Sequence, residues 1–210
     1  MSVMLQKLLG SGGALDQLAR LDPDIAMARE CYGAPPDRSL PASFETLARA
    51  VIGQQISRAA ASAIWTRMKD QNTASASSIA GMTVDQLMPL GLSRRKAEYL
   101  IGIADELNTG RLDLDALAKL YGEQVQARLV QIRGIGAWTA DNFRLFALGD
   151  MDAWPFDDLA LQEGMKRLKN LPERPDGKAM IQLGDSWRPV RGAGALMLWH
   201  IYGKIGRAHV

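Results

Sequence analysis

Leu129-Val130-Gln131-Ile132-Arg133-Gly134-Ile135-Gly136-Ala137-Trp138-Thr139-Ala140-Asp141 is the stretch from which the rest can be read. An apolar helical pattern ends, Arg133-Gly134-Ile135-Gly136 is too tight for anything but a turn, and a second helical pattern opens at Ala137. The two glycines permit positive φ and bring bare backbone to the surface. The amides of Gly136, Ala137 and Trp138 then lie at a helix start, where no intrahelical carbonyl serves them. Such amides, with the helix dipole behind them, suit a phosphate oxygen. That contact grips nucleic acid without reading its sequence. An ordinary corner between two helices could carry the same glycines. Ile132 and Ile135 as anchors beside the turn, and small Thr139-Ala140 where the helices must approach, favour the phosphate reading.

Outward from the hairpin the periodicity is helical almost throughout, and no segment alternates well enough for a strand. Ser43 is placed to cap a helix with Phe44, Leu47, Val51, Ile52, Ile56, Ala59, Ala63 and Ile64 inward. Thr83 and Gln86 form a capping box with Gly91 as the stop, and Ser93 caps the next helix. Residues 113–120 and 122–131 read as short helices, 137–148 as a longer one, and 74–78 as a loop at most. Beyond the connector 150–156, Asp157 or Asp158 opens a helix to about Leu168. A prolyl loop follows at 170–177, then a short helix to Gly184 and a last long helix after Pro189. The fold class expected is all-α.

Bulk numbers agree with one compact protein of one or two lobes: 210 residues, 47% hydrophobic and 23% charged. The one cysteine, Cys31, excludes an internal disulfide framework, an all-cysteine iron–sulfur cluster and a four-cysteine zinc site. No signal peptide and no membrane span are read, and an intracellular, reducing location is expected. A net charge of +2 does not by itself announce nucleic acid. The distribution says more: residues 165–210 carry Lys166, Arg167, Lys169, Arg174, Lys178, Arg188, Arg191, Lys204 and Arg207 against Glu173, Asp176 and Asp185. Arg94-Arg95-Lys96 is a second basic point. Solvated helix faces would explain both equally well without the hairpin.

Downstream of the turn stands Trp154-Pro155-Phe156-Asp157-Asp158-Leu159-Ala160-Leu161. Aspartate at a helix start is a common cap. With the hairpin upstream, the chain resembles the helix-hairpin-helix superfamily of DNA glycosylases, whose hairpin is followed by a Gly/Pro-rich loop and an aspartate. It is most similar to the 3-methyladenine DNA glycosylase II (AlkA-type) family. Further likeness lies in Phe44-Glu45 through Arg49-Ala50-Val51-Ile52-Gly53-Gln54-Gln55-Ile56-Ser57, in Leu90-Gly91-Leu92-Ser93 with Lys96-Ala97-Glu98, and in Trp187-Arg188-Pro189-Val190-Arg191 with Leu196 to Trp199. The resemblance spans about residues 40–205. It departs at Arg133, where the family has proline.

The resemblance implies the following. Two helical lobes flank a DNA-binding cleft: 41–149 forms a bundle ending in the hairpin, 150–210 carries the catalytic loop and C-terminal helices, and 1–40 packs with that second lobe. Asp158 is the catalytic carboxylate, with Asp157 a cap or orienting neighbour. A carboxylate under the sugar stabilises an oxocarbenium-like transition state and can orient water, and a helix N-terminus favours its ionised form. Trp138 stands where lyase-active relatives have lysine, and tryptophan forms no imine, so water is the nucleophile. Trp138 and Trp199 are pocket aromatics able to attract a cationic alkylated purine, among five Trp in the chain; Trp154, just before the catalytic loop, is a third pocket candidate that core packing would explain equally, and Trp65 and Trp187 read as core. Gly134, Gly136, Ala137, Trp138, Gln54, Gln55, Arg133 and Arg191 contact DNA, Gln55 falling at the wedge position with Ile56 its rival. The carbonyls of Val130, Ile132 and Ile135 hold a monovalent cation, Na+ or K+, and no other cofactor is required. The partner is double-stranded DNA containing damaged bases, the chain a monomer, with no membrane association.

The function so implied is hydrolysis of the N-glycosidic bond of alkylated purines after base flipping. A non-catalytic helix-hairpin-helix DNA-binding module, a glycosylase for oxidised or mismatched bases, and a purely structural helical protein stay open. His200 receives no role. The larger members carry an N-terminal β-rich domain, for which the forty residues before the bundle leave no room.

Overall fold

A computed structural model describes residues 2–205. Arg207, part of the C-terminal basic excess, lies outside the described residues. The described residues form helices and turns with no strand, the all-α class expected. In chain order the helices are α1 (Val3–Leu9), α2 (Ala14–Leu21), α3 (Pro23–Tyr32), α4 (Phe44–Gly53), α5 (Arg58–Asp70), α6 (Ala76–Ile79) and α7 (Val84–Leu87). After a short 3-10 turn at Met88–Leu90 come α8 (Arg94–Asn108), α9 (Leu114–Leu117), α10 (Gly122–Leu129), α11 (Ala137–Leu148), α12 (Leu159–Leu168), α13 (Gly177–Asp185) and α14 (Arg191–Ile205). None is long and apolar enough to cross a membrane.

Polar side chains set most helix starts. Ser43, Ser57, Ser93, Asp158 and Asp176 each accept a first-turn amide of the helix they precede. Two expectations need correction. The apolar run from Phe44 to Ile64 is two helices, because Gln55 adopts φ +60° and Ser57 starts a new cap. Residues 74–78 are not merely a loop: Ser75 and Ser78 cap each other reciprocally and α6 buries Ile79. Residues 113–120 and 122–131 also shorten, to α9 and α10.

The chain divides into two compact units, residues 40–143 and residues 1–39 with 144–210, the boundary falling inside α11. In the first, α4 packs on α5 and α8, and α8 also on α6 and α7. Leu47, Val51, Ile52, Met68, Leu100, Ile103 and Leu129 are buried there. In the second, α12 and α3 pack on α14, around Leu8, Leu15, Leu18, Leu161, Met165, Trp187, Ala195 and Leu198. Gly164 makes the α12–α14 crossing close: a Cβ there would lie 2.7 Å from the Leu198 carbonyl oxygen and 3.1 Å from its Cβ.

An ionic cluster joins α3 to the far end of α12. Asp22, buried, accepts from Lys169 Nζ at 2.6 and 2.8 Å and from Trp187 Nε1 at 2.7 Å, while Lys169 also reaches Asp24 at 2.8 Å. Burial alone would raise the Asp22 carboxyl, but the Lys169 ammonium and Trp187 indole hold it below the ordinary carboxylate value. The same pairing overrides desolvation at Lys169 and raises its ammonium.

Candidate active site and nucleic-acid interface

Asp158 is itself the N-cap of α12. Its Oδ1 accepts the Leu161 amide at 2.9 Å and Trp199 Nε1 from α14 at 3.0 Å. Asp157 is exposed and is not the cap. A cap needs only its own helix's amides. An indole from forty-one residues away fixes the carboxylate further, a cost in side-chain freedom that a terminal cap does not require. Trp199 is itself held, stacked on Phe146 with centroids 5.4 Å apart and planes at 28°. The arrangement offers an immobilised carboxylate beside a half-buried aromatic face, suited to stabilising positive charge.

The connector leading to Asp158 is pinned by charge. Arg144 in α11 grips Asp150 Oδ2 at 2.7 and 2.9 Å, and Asp150 Oδ1 accepts the Asp152 amide at 2.9 Å. Asp152 in turn holds Arg191 at 2.8 and 2.6 Å and Arg188 at 3.2 Å. Gly192 donates to the Met151 carbonyl. Arg191, expected on DNA, is therefore a fork clamped on Asp152 with its side chain 11% exposed. Bidentate pairing satisfies it inside the protein. Other cations of the C-terminal excess are similarly engaged: Arg167 with Glu163, Arg188 with Asp185, Lys169 with Asp22.

Trp154 is corrected from pocket to core. It is 4% exposed, meets Trp187 edge-on at 5.7 Å, and donates its indole N–H to the Met180 carbonyl at 3.1 Å. Trp65 and Trp187 are buried, as expected. Trp138 is 38% exposed in the first turn of α11. His200 Nε2 lies 2.9 Å from the Tyr32 carbonyl oxygen at the end of α3.

In the other unit, α10 and α11 form the hairpin. Gln126 of α10 donates to buried Asp141 of α11 at 2.9 Å, and Ile132 and Ile135 are buried beside the turn. The glycines differ from expectation. Only Gly134 takes a left-handed φ, +98°, and a Cβ on it would collide with the Cβ and ring edge of Tyr99. Gly136 has no atom within 4 Å of where its Cβ would be. The fold needs Gly134. At Gly136 it leaves open surface over the first amides of α11. Arg133 lies on the Tyr99 ring, 5.8 Å from its centroid, and pairs with Glu98 at 3.3 Å while staying 75% exposed.

Three carbonyls would serve a cation here. Val130 is the C-cap of α10, where helix carbonyls lack intrahelical partners, and the Ile132 carbonyl takes one bond from the Ile135 amide at 3.0 Å. A carbonyl has two acceptor sites. Neutral oxygens from one turn, without a carboxylate, fit a monovalent cation better than a divalent one.

Sequence reasoning named Gln54 as a DNA contact but missed how this edge is held together. Lys96, read as surface charge, donates to the carbonyls of Ile52 and Gln54 at 2.8 and 2.7 Å, closing the end of α4. Burial pushes its ammonium below the usual lysine value. Neighbouring Arg94 pairs with Asp85. Gln54 donates from Nε2 to the Gly134 carbonyl at 3.1 Å and to Thr139 Oγ1 at 3.3 Å. Exposed Gln55, at φ +60°, carries a backbone strain of about 1–3 kcal/mol that its surroundings must offset. Ile56 beside it is 37% exposed.

Residues 48–189 match the HhH-GPD superfamily of base excision DNA repair proteins, and the chain belongs to that superfamily. It is 29% identical over 199 residues to the DNA-3-methyladenine glycosylase of Bacillus subtilis strain 168, covering 88% of this chain and 65% of that protein. It is 33% identical over 171 residues to DNA-3-methyladenine glycosylase 1 of Schizosaccharomyces pombe, covering 78% of this chain and 75% of that one. The solved Schizosaccharomyces pombe 3-methyladenine DNA glycosylase, in complex with abasic DNA, superposes with a TM-score of 0.79 at 31% identity over 89% of this chain and 94% of that chain. The chain thus spans about two thirds of the Bacillus subtilis relative's length.

Proposed function

We propose that this chain is a monofunctional DNA glycosylase that hydrolyses the N-glycosidic bond of alkylated purines of the 3-methyladenine and 7-methylguanine class. The observation that carries the reading is Asp158, held at the start of α12 by a helix amide and by the Trp199 indole. Names of the relatives support the substrate class. In the reaction, duplex DNA is gripped without sequence reading by the amides of Gly136, Ala137 and Trp138, and the damaged nucleotide is everted. Asp158 stabilises the cationic sugar as the bond to the base breaks, and a water adds at the anomeric carbon, its proton passing to solvent. The base leaves with the bonding electrons, its alkyl group having already made it a good leaving group. Trp138, at the lysine position of lyase-active relatives, offers no amine, so no imine forms and the strand is not nicked. Trp199, beside Asp158, presents an aromatic face to a positively charged purine, worth ~0.5–2 kcal/mol. The carbonyls of Val130, Ile132 and Ile135 would hold Na+ or K+, which would supply positive charge attractive to a phosphate. Gln55 or Ile56 fills the gap left by the everted base. The chain acts as a monomer on damaged duplex DNA inside the cell.

Duplexes carrying 3-methyladenine, 7-methylguanine, hypoxanthine, ethenoadenine or 8-oxoguanine, offered separately, test the substrate class. The alkylated purines are expected to be released fastest and without strand cleavage. Preference for 8-oxoguanine, or nicking in the absence of added base, contradicts the reading.

A further inference from the structure

Gln54 and the hairpin are joined more tightly than contact with DNA would require. Nε2 faces the Gly134 carbonyl, so the amide orientation is fixed: only the nitrogen can donate there. A peptide group is planar, so holding the Gly134 carbonyl also sets the Ile135 amide, which donates the other way to Ile132 at 3.0 Å. The same nitrogen reaches Thr139 Oγ1 in the first turn of α11. Gln54 therefore bridges the glycine turn and the helix that follows it, across the amides of Gly136, Ala137 and Trp138. Its own backbone is not loose, because Lys96 holds the carbonyls of Ile52 and Gln54 on either side of Gly53.

We propose that Gln54 is a positioning residue, a latch that locks the turn carrying Gln55 to the Gly134–Gly136 turn so that both meet DNA as one prearranged edge. The inference rests on the glycosylase reading for its consequence, though the latch itself is a property of the protein alone. Thr139 separates it from the simpler idea that Gln54 touches DNA: Thr139 is 2% exposed and cannot do so.

Affinity for a duplex with a tetrahydrofuran abasic-site analogue is measured by fluorescence anisotropy for wild type, Gln54→Leu, Thr139→Val, Thr139→Ser and the Gln54→Leu/Thr139→Val pair, with Tm alongside. Gln54→Leu is expected to bind about tenfold more weakly and Thr139→Val about threefold, in keeping with loss of two bonds and of one. The pair is expected to match Gln54→Leu, and Thr139→Ser to match wild type, since it restores the hydroxyl. Wild-type affinity in Thr139→Val, or losses that simply follow Tm, overturns the latch. Should wild type ignore this duplex, the glycosylase reading fails, and amide hydrogen exchange at residues 136–138 decides the latch: faster in Gln54→Leu supports it, unchanged overturns it. Thr139→Val keeps both measurements available if Gln54→Leu does not fold.

Discussion

Asp158 and Trp199 work as a pair. The indole N–H meets Oδ1 at 3.0 Å, and the same ring stacks on Phe146. Trp199→Phe keeps an aromatic face and removes only the donor, so single-turnover base release is expected to slow about tenfold, as for loss of one hydrogen bond to a charged group, with little change in substrate affinity. A changed affinity with an unchanged rate constant would make Trp199 a pocket wall alone. That an acid starts α12 was legible, with Asp157 and Asp158 both candidates, and the structure makes Asp158 the cap. The Trp199 contact was not legible, since a bond across forty-one residues leaves no local trace. Arg191 shows the opposite failure: basic residues look alike in sequence, whether they face solvent or an acid. Arg191→Ala is expected to lower stability by about 1–3 kcal/mol by removing the bidentate partner of Asp152, which Arg188 would still hold, while leaving the slope of DNA affinity against salt unchanged. A shallower slope would return Arg191 to the interface.

Helix boundaries were read well wherever a cap or glycine stop marked them, as at Ser93, Gly91 and the start of α11 at Ala137. They were misread where the decisive group is distant. Nothing periodic distinguishes Phe44 to Ile64 from one long helix, yet Lys96, far along the chain, closes the end of α4 and Gln55 turns left-handed. In the hairpin, two glycines that look equivalent in sequence differ in what they touch. Gly134→Ala is expected to destabilise by at least ~2 kcal/mol, from a strained φ and collision with Tyr99. Gly136→Ala is expected to leave Tm unchanged, because its methyl would meet no atom of the protein within 4 Å, and, on the proposed phosphate contact, to weaken binding of abasic-analogue DNA. Equal Tm losses in the two variants would refute that division.

Across the whole molecule, helical class and the hairpin came from patterning, while the electrostatics did not. A composition of +2 conceals how much charge is spent internally. The Asp22–Lys169–Asp24 cluster ties α3 to α12, with Trp187 completing it. Asp22, lowered in the folded protein, contributes stability that is present above its unfolded value, about 3.9, and lost as pH falls through the folded one. Lys169, raised, contributes stability present below its unfolded value, about 10.4, and lost as pH rises through the folded one. Tm is therefore expected to be flat across neutral pH and to fall at both extremes. Asp22→Asn is expected to cost about 3 kcal/mol at pH 7 and to flatten the acid fall. An unaltered acid limb in that variant would show that other carboxylates govern it.

The most direct test of the central claim is single-turnover release of 3-methyladenine from methylated duplex DNA by wild type and by Asp158→Asn, with affinity for the abasic-site analogue measured on the same preparations. Asparagine still caps α12, so the fold and the grip on DNA are expected to persist while release falls by at least about a hundredfold. Release by Asp158→Asn at the wild-type rate would contradict the account.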